Sequence, residues 1–235
     1  MSRRGPRDRF MESFACRPRA GRYAGAMGKK NFVIIGAIVA VLAAGLAYLA
    51  FAAAQKRSQQ RQVKELVVDT TEKLREVLVA RAAPDVVAPL DANLKRAKAP
   101  RDPLLTDAAE SYIISARESA RRRAQVDRLT RQAAASRHAL ATHMAHAAHR
   151  NTALLNDAIT LKKRVEDDHF NLGVELKALD ELLYTLPEAE KTLAPHVGRA
   201  VLIDDALRDS ARKQTQDEMR RAADDLAGAR RLNFR

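Results

Sequence analysis

Residues 32–54 run for 23 positions without a charge, FVIIGAIVAVLAAGLAYLAFAAA, between Lys29-Lys30 on one side and Lys56-Arg57 on the other. At about 1.5 Å per residue a helix of this length reaches roughly 34 Å, enough to cross a hydrocarbon layer of about 30 Å. Lysine and arginine resist transfer into a bilayer. Lys29, Lys30, Lys56 and Arg57 therefore mark the edges of a predicted transmembrane helix over residues 31–54. Ala52-Ala53-Ala54 has the form of a signal-cleavage site, but the apolar run exceeds the roughly 7–15 residues of a signal core. The sequence thus predicts a retained anchor.

Beyond the anchor the apolar positions follow a helical period. Val63, Leu66, Val67, Leu74 and Leu78 lie on one face of a helix over residues 55–81. Pro84, Pro89, Pro100 and Pro103 mark the following stretch as a connector, with room for a short helix over residues 86–98. Residues 104–186 contain no proline and one glycine, Gly173. Within them every seventh position from Leu105 to Leu161 is apolar except Ser119, and Leu105, Tyr112, Val126, Leu140, Leu154 and Leu161 form the predicted packing seam. A companion seam of Ala109, Ala116, Arg123, Thr130, Arg137, Met144, Asn151, Ala158, Val165 and Leu172 is apolar at both ends and polar in its middle, which suits a bundle or a coiled-coil hairpin better than a two-stranded zipper.

One unbroken helix over this region would reach roughly 125 Å. A break is expected instead, at His149-Arg150-Asn151-Thr152 with Asn151 as a cap, or at Asn171-Leu172-Gly173. Pro187 is expected to open a further helix with Glu188 and Glu190 in its first turn, and Pro195 to Gly198 to interrupt it. A final helix is expected over residues 199–229. The predicted fold class is all-α: a single transmembrane helix followed by an elongated helical bundle or coiled-coil hairpin. The expected divisions are a basic tail over 1–30, the anchor over 31–54, a juxtamembrane helix and connector over 55–103, the bundle over 104–229 and a basic end over 230–235.

Composition supports the helical reading. There are no Trp, four Tyr, six Phe and nine Gly, yet 46% of residues are hydrophobic, mostly Ala, Leu and Val. Of the net charge of +13, residues 1–30 carry +7. Concentrated beside the anchor, that excess fits attraction to anionic headgroups rather than to nucleic acid. Residues 1–26, rich in Arg, Gly and Pro and without an apolar period, read as disordered. Met27-Gly28-Lys29-Lys30 has the form in which signal anchors begin, and marks Met27 as a candidate native start. The sole cysteine, Cys16, precedes the apolar run, so a lipoprotein-type attachment is not indicated. Lys and Arg are equal in number over residues 12–31 and 55–74. Only the full basic tail favours an inside N-terminus, with the C-terminal domain on the extracytoplasmic side of a bacterial inner membrane.

Candidate chemistry is sparse. His138, His143, His146 and His149 cluster; the last three stand at successive steps of three, close enough on a helix to share a metal ion or respond to pH. Glu166-Asp167-Asp168-His169 contains one Glu-x-x-His, where a di-iron bundle needs two, and reads as a charged surface turn. Arg121-Arg122-Arg123 point in three directions without interleaved aromatics, and read as a solvated face. No phosphate loop, nucleophile elbow, CxxC pair or Ser/His/Asp arrangement is present. The sequence therefore predicts no catalytic residues and no cofactor. It predicts a membrane-anchored interaction or scaffold protein of the bacterial cell envelope, with lipid and a protein partner or a second copy as its contacts. The alternative is a ligand-, metal- or pH-sensing bundle that uses the histidine cluster.

Overall fold

The computed structural model describes residues 29–80, 84–98, 103–146 and 152–232, and the side chains in those ranges except at 29–35, 103–104, 146 and 152. The described residues form five α-helices and no strand: α1 (Lys29–Val79), α2 (Val87–Ala97), α3 (Pro103–His146), α4 (Thr152–Val197) and α5 (Asp205–Arg231), with a single 3-10 turn at Arg199–Val201. Two compact units divide the chain, Met1–Phe51 and Ala52–Arg235. Residues 1–28 of the basic tail, with Met27 among them, and the expected Asn151 cap lie outside the described residues.

In the second unit α3 and α4 are antiparallel. Arg122 meets Glu175, Gln132 meets Asp168 and His143 meets the Leu154 carbonyl, so one number rises as the other falls. Their shared face is covered twice. At one end Val63, Val67 and Leu74 of α1 close a cluster with Leu105, Ala109, Tyr112 and Ala116 of α3 and Leu186, Leu193 and Val197 of α4. Farther along, Ala211 and Ala222 of α5 close a second cluster with Val126, Leu129, Leu172, Leu176, Leu179 and Leu183. Leu78, in the last turn of α1, touches both clusters, so the covering role passes there from α1 to α5. The stretch over residues 55–103 therefore contributes α1 to the core shared with α3 and α4, and α2 to smaller clusters against α1 and α3.

The connector holds α2 against α1 and α3. Leu94 and Ala97 meet Leu66 and Ile113, while Val86 and Leu90 meet Val77 and Ala120. The buried Asn93 amide donates to Asp69 Oδ2 at 2.6 Å and to Thr70 Oγ1 at 3.2 Å, and Lys73 lies 3.2 Å from the same aspartate. Burial would raise the Asp69 pKa, but the Asn93 bond and the Lys73 charge outweigh it and hold the group below its usual value. A depressed carboxylate contributes stability that is present above the unfolded pKa of about 4 and is lost as pH falls through the folded value. Protection of the α2 amides, taken relative to intrinsic exchange at each pH, is therefore expected to fall below about pH 4, and Asp69→Asn to remove that acid-dependent component. Exchange in α2 with the same pH profile in both proteins would contradict this.

α4 differs from expectation. It runs without a break through Asn171-Leu172-Gly173, Pro187 and Pro195 to Val197. One interior proline costs about 3 kcal/mol and one glycine about 1 kcal/mol. Against this, Leu172, Leu176, Leu179, Leu183, Leu186, Leu193 and Val197 all sit buried on one face of α4, each stabilising by roughly 1.5–3 kcal/mol. Packing decides the outcome. The reversal comes at the other expected place, since α3 ends at His146 and α4 starts at Thr152. α4 stops at Gly198, whose φ of 90° belongs to glycine's territory and whose N–H donates to the Ala194 carbonyl at 2.9 Å. The final helix begins at Asp205 rather than at residue 199, because the Asp204 side chain caps the N–H of Ala206.

Candidate functional site

Two features remain once the core is accounted for. The first is the apolar part of α1. Every described side chain over residues 36–54 is exposed, including Ile38, Val39, Val41, Leu42, Leu46, Tyr48, Leu49 and Phe51. At about 100° per residue these eight large side chains are distributed around the helix rather than along one stripe. Among the described helices α1 is the one long and apolar enough to cross a membrane. Lys56 and Arg57 lie on exposed turns just beyond the apolar stretch, whereas the side chains of Lys29 and Lys30 lie outside the described residues.

The second is a groove between α3 and α5, floored by α4. Ala133, Ala134 and Ala222 leave the groove unfilled, and a cleft of about 320 Å³ results, lined also by Arg123, Asp127, Arg137, His169, Glu218 and Asp225. A strut from Arg137 Nη1 to Asp225 Oδ2 at 2.5 Å separates it from a second cleft of about 300 Å³ lined by Leu140, Met144, Val165, Gly228 and Leu232. Arg123 lies 3.0 Å from Glu218 and 3.4 Å from Asp127, and His169 Nε2 lies 3.6 Å from Asp225. A carbonyl only accepts, so the His169 Nδ1 that lies 2.8 Å from the Val165 carbonyl carries a proton. Arg123–Glu218 and Arg137–Asp225 are ties between α3 and α5, while Arg123–Asp127 lies within α3. The polar middle of the companion seam, Arg123, Thr130 and Arg137, is the part of α3 that lines this groove, so its polarity was the sequence signal for it.

The arginine triplet is solvated only in part: Arg121 is exposed and Arg122 half-buried, but Arg123 is buried and all three have acidic partners. Arg121 reaches Asp91 of α2 at 3.8 Å, Arg122 reaches Glu175 of α4 at 2.7 Å, and the buried Arg123 reaches Glu218 of α5 at 3.0 Å. Two successive steps of about 100° aim one arginine at each of three neighbouring helices. Glu166-Asp167-Asp168-His169 is not a surface turn. It lies inside α4, and Asp168 and His169 are buried, with Gln132 donating to Asp168 Oδ1 at 2.5 Å. Both residues fall on the face that carries Val165, Leu172 and Leu176, and extending that period backwards would have placed them inside.

Of the seam residues, Leu105, Tyr112, Val126 and Leu140 are buried and Leu154 and Leu161 are half-buried. Of the histidines, His143 is half-buried and its Nε2 donates to the Leu154 carbonyl at 2.8 Å. The side chain of His146, and His149 altogether, lie outside the described residues. Among the described residues no three His, Cys, Asp or Glu side chains converge in a metal-binding arrangement. No known protein family, no curated protein and no solved structure matches the chain.

Proposed function

We propose that this protein is a membrane-anchored, non-enzymatic interaction or scaffold protein of the bacterial cell envelope. Residues 31–54 cross the inner membrane once, and the helical bundle stands on the extracytoplasmic side. The observation that carries the reading is the exposure of eight large apolar side chains around α1 over residues 38–51. Fully burying such side chains is worth roughly 1.5–3 kcal/mol each, so leaving all of them in water forgoes on the order of 10 kcal/mol or more. A bilayer supplies that burial on every side of the helix at once, which a groove on a protein does not. The interaction role is supported by the large apolar side chains that α4 leaves in solvent.

The test is fractionation of cells expressing the full chain. The protein is expected to sediment with membranes and to resist extraction at alkaline carbonate pH, as an integral protein does. Leu42→Arg combined with Leu46→Arg places two charges mid-span at about 2.5–3.5 kcal/mol each, and is expected to move most of the chain to the soluble fraction. Recovery of the unaltered full chain from the soluble fraction without detergent would end this reading.

A further inference from the structure

The side of α4 turned away from the core carries a second pattern. Leu155, Ile159, Phe170, Val174 and Tyr184 are all exposed, from 36% at Leu155 to 67% at Tyr184. At about 100° per residue they fall within one stripe roughly 100° wide, on the side opposite Val165, Leu172, Leu176 and Leu183. Lys163, Glu166, Lys177 and Glu181 share the stripe. The side chains of Lys177 and Glu181 are about seven-tenths exposed and lie 4.0 Å apart. The two signs balance, so the stripe has no net attraction for an anionic lipid surface.

We infer that this face is self-complementary, and that two copies of the chain pair through it as antiparallel α4 helices about a two-fold axis level with residues 171–172. The inference rests on the interaction role proposed above and names its partner as a second copy of this chain. In that register residue i of one copy meets residue 343 − i or 344 − i of the other. Ile159 then meets Tyr184 of the second copy and Phe170 meets Val174. Lys163 meets Glu181 and Glu166 meets Lys177. Symmetry repeats each pairing, so four apolar and four ionic contacts form from one stripe. Angular position agrees as well. In an antiparallel two-fold pair the same flank of each helix meets. Lys163 and Glu181, 18 residues apart, stand at the same helical angle, and Glu166 and Lys177, 11 apart, stand within about 20° on the other flank. Gly173 lies beside the axis, and a Cβ placed on it meets nothing within 4 Å, so the Phe170 ring of the second copy has room there. Leu155 is the one mismatch, since it falls opposite Glu188. A parallel pair would set Lys163 against Lys163 and Glu166 against Glu166, so like charges select against it.

The contact from Ile159 to Tyr184 is about 37 Å long and roughly one helix diameter wide. That is the small end of specific interfaces, so a reversible dimer is expected. The full chain with Cys16→Ser, in detergent, would carry Lys163→Cys in one preparation and Glu181→Cys in a second with a different tag. A short bismaleimide is expected to link the two proteins when they are mixed. It is expected to link neither with itself, because identical positions lie about 27 Å apart along the helix axis. Lys163→Glu alone is expected to weaken the dimer about tenfold by sedimentation, since two attractive ion pairs become repulsive, and adding Glu181→Lys is expected to restore it. Absence of a mixed product, self-linking of either single variant, or failure of the second charge change to restore association would each overturn the pairing. Carbonate resistance of the same protein reads the anchor separately, so loss of the dimer alone leaves the membrane reading standing.

Discussion

Glu190→Ala is expected to lower the thermal midpoint of the full chain by roughly 6–20 °C, corresponding to about 3–5 kcal/mol in a domain of this size. Glu190 is 1% exposed and accepts from Arg199 Nη1 at 2.5 Å and from Arg208 Nη1 at 3.1 Å. The Glu190 hydrogen bond is the main reason that the Arg199 pKa lies above its usual value. The two arginines are not equivalent. Arg199 is half exposed, and water would take over its charge. Arg208 is 10% exposed, and deleting the carboxylate leaves its guanidinium inside with only the exposed Asp205 as counter-ion. Arg199→Ala is therefore expected to cost less than about 1 kcal/mol. Joint replacement of Glu190 and Arg208 by leucine and methionine is expected to recover most of the loss, because it removes both charges together. Circular dichroism melts in one detergent would check the series. A Glu190→Ala protein that melts within about 2 °C of the original would show that this network does not hold the end of α4 to α5.

The second large effect is expected at Tyr112, fully buried where α1 meets α3. The single proton of the Thr71 hydroxyl goes to the Val67 carbonyl at 2.8 Å, so Tyr112 donates to Thr71 Oγ1 at 2.9 Å. Tyr112→Ala would open a cavity and is expected to cost about 3–5 kcal/mol. Tyr112→Phe would lose the bond alone, about 1–2 kcal/mol. Burial, with the negative charge of Glu190 adding to it, pushes the phenol far above its usual range. A group whose folded pKa is raised keeps its proton in the native state while the unfolded chain ionises near pH 10. Stability is therefore intact below about pH 10 and falls as pH rises beyond it, and Tyr112→Phe is expected to flatten that alkaline limb. An unchanged slope above pH 10 in the phenylalanine variant would assign the alkaline loss to other groups.

Periodicity was legible over α1 and α3 where one face met a core, but not at Asp168 and His169 on the buried face of α4. Val63, Val67 and Leu74 in α1 and Leu105, Tyr112 and Val126 in α3 are buried where a helical repeat puts them. The reversal between α3 and α4 was legible too, because His149-Arg150-Asn151 supplies no residue that could extend a buried stripe. Pro187 and Pro195 misled for a physical reason: their cost is local, while the burial of Leu183, Leu186 and Leu193 that outweighs it involves residues up to about 130 positions away in α1. The groove was only half visible. Arg123 and Arg137 announced a polar interval on α3, but their partners Glu218 and Asp225 come from a helix that begins about 60 residues after α3 ends. No repeat within one helix encodes which distant carboxylate an arginine will meet. The arginine triplet shows the same limit, since its three targets lie on three separate helices.

Under the membrane anchor proposed above, the placement of Val63, Val67 and Leu74 inside the bundle decides where the protein can be cut. A protease acting just past Ala54 would free a fragment that keeps the whole hydrophobic interior. One acting beyond Val79 would strip a wall from that interior and leave Leu105, Tyr112, Leu186 and Leu193 facing water. The boundary of the releasable piece therefore falls inside a continuous helix, about 25 residues before that helix ends.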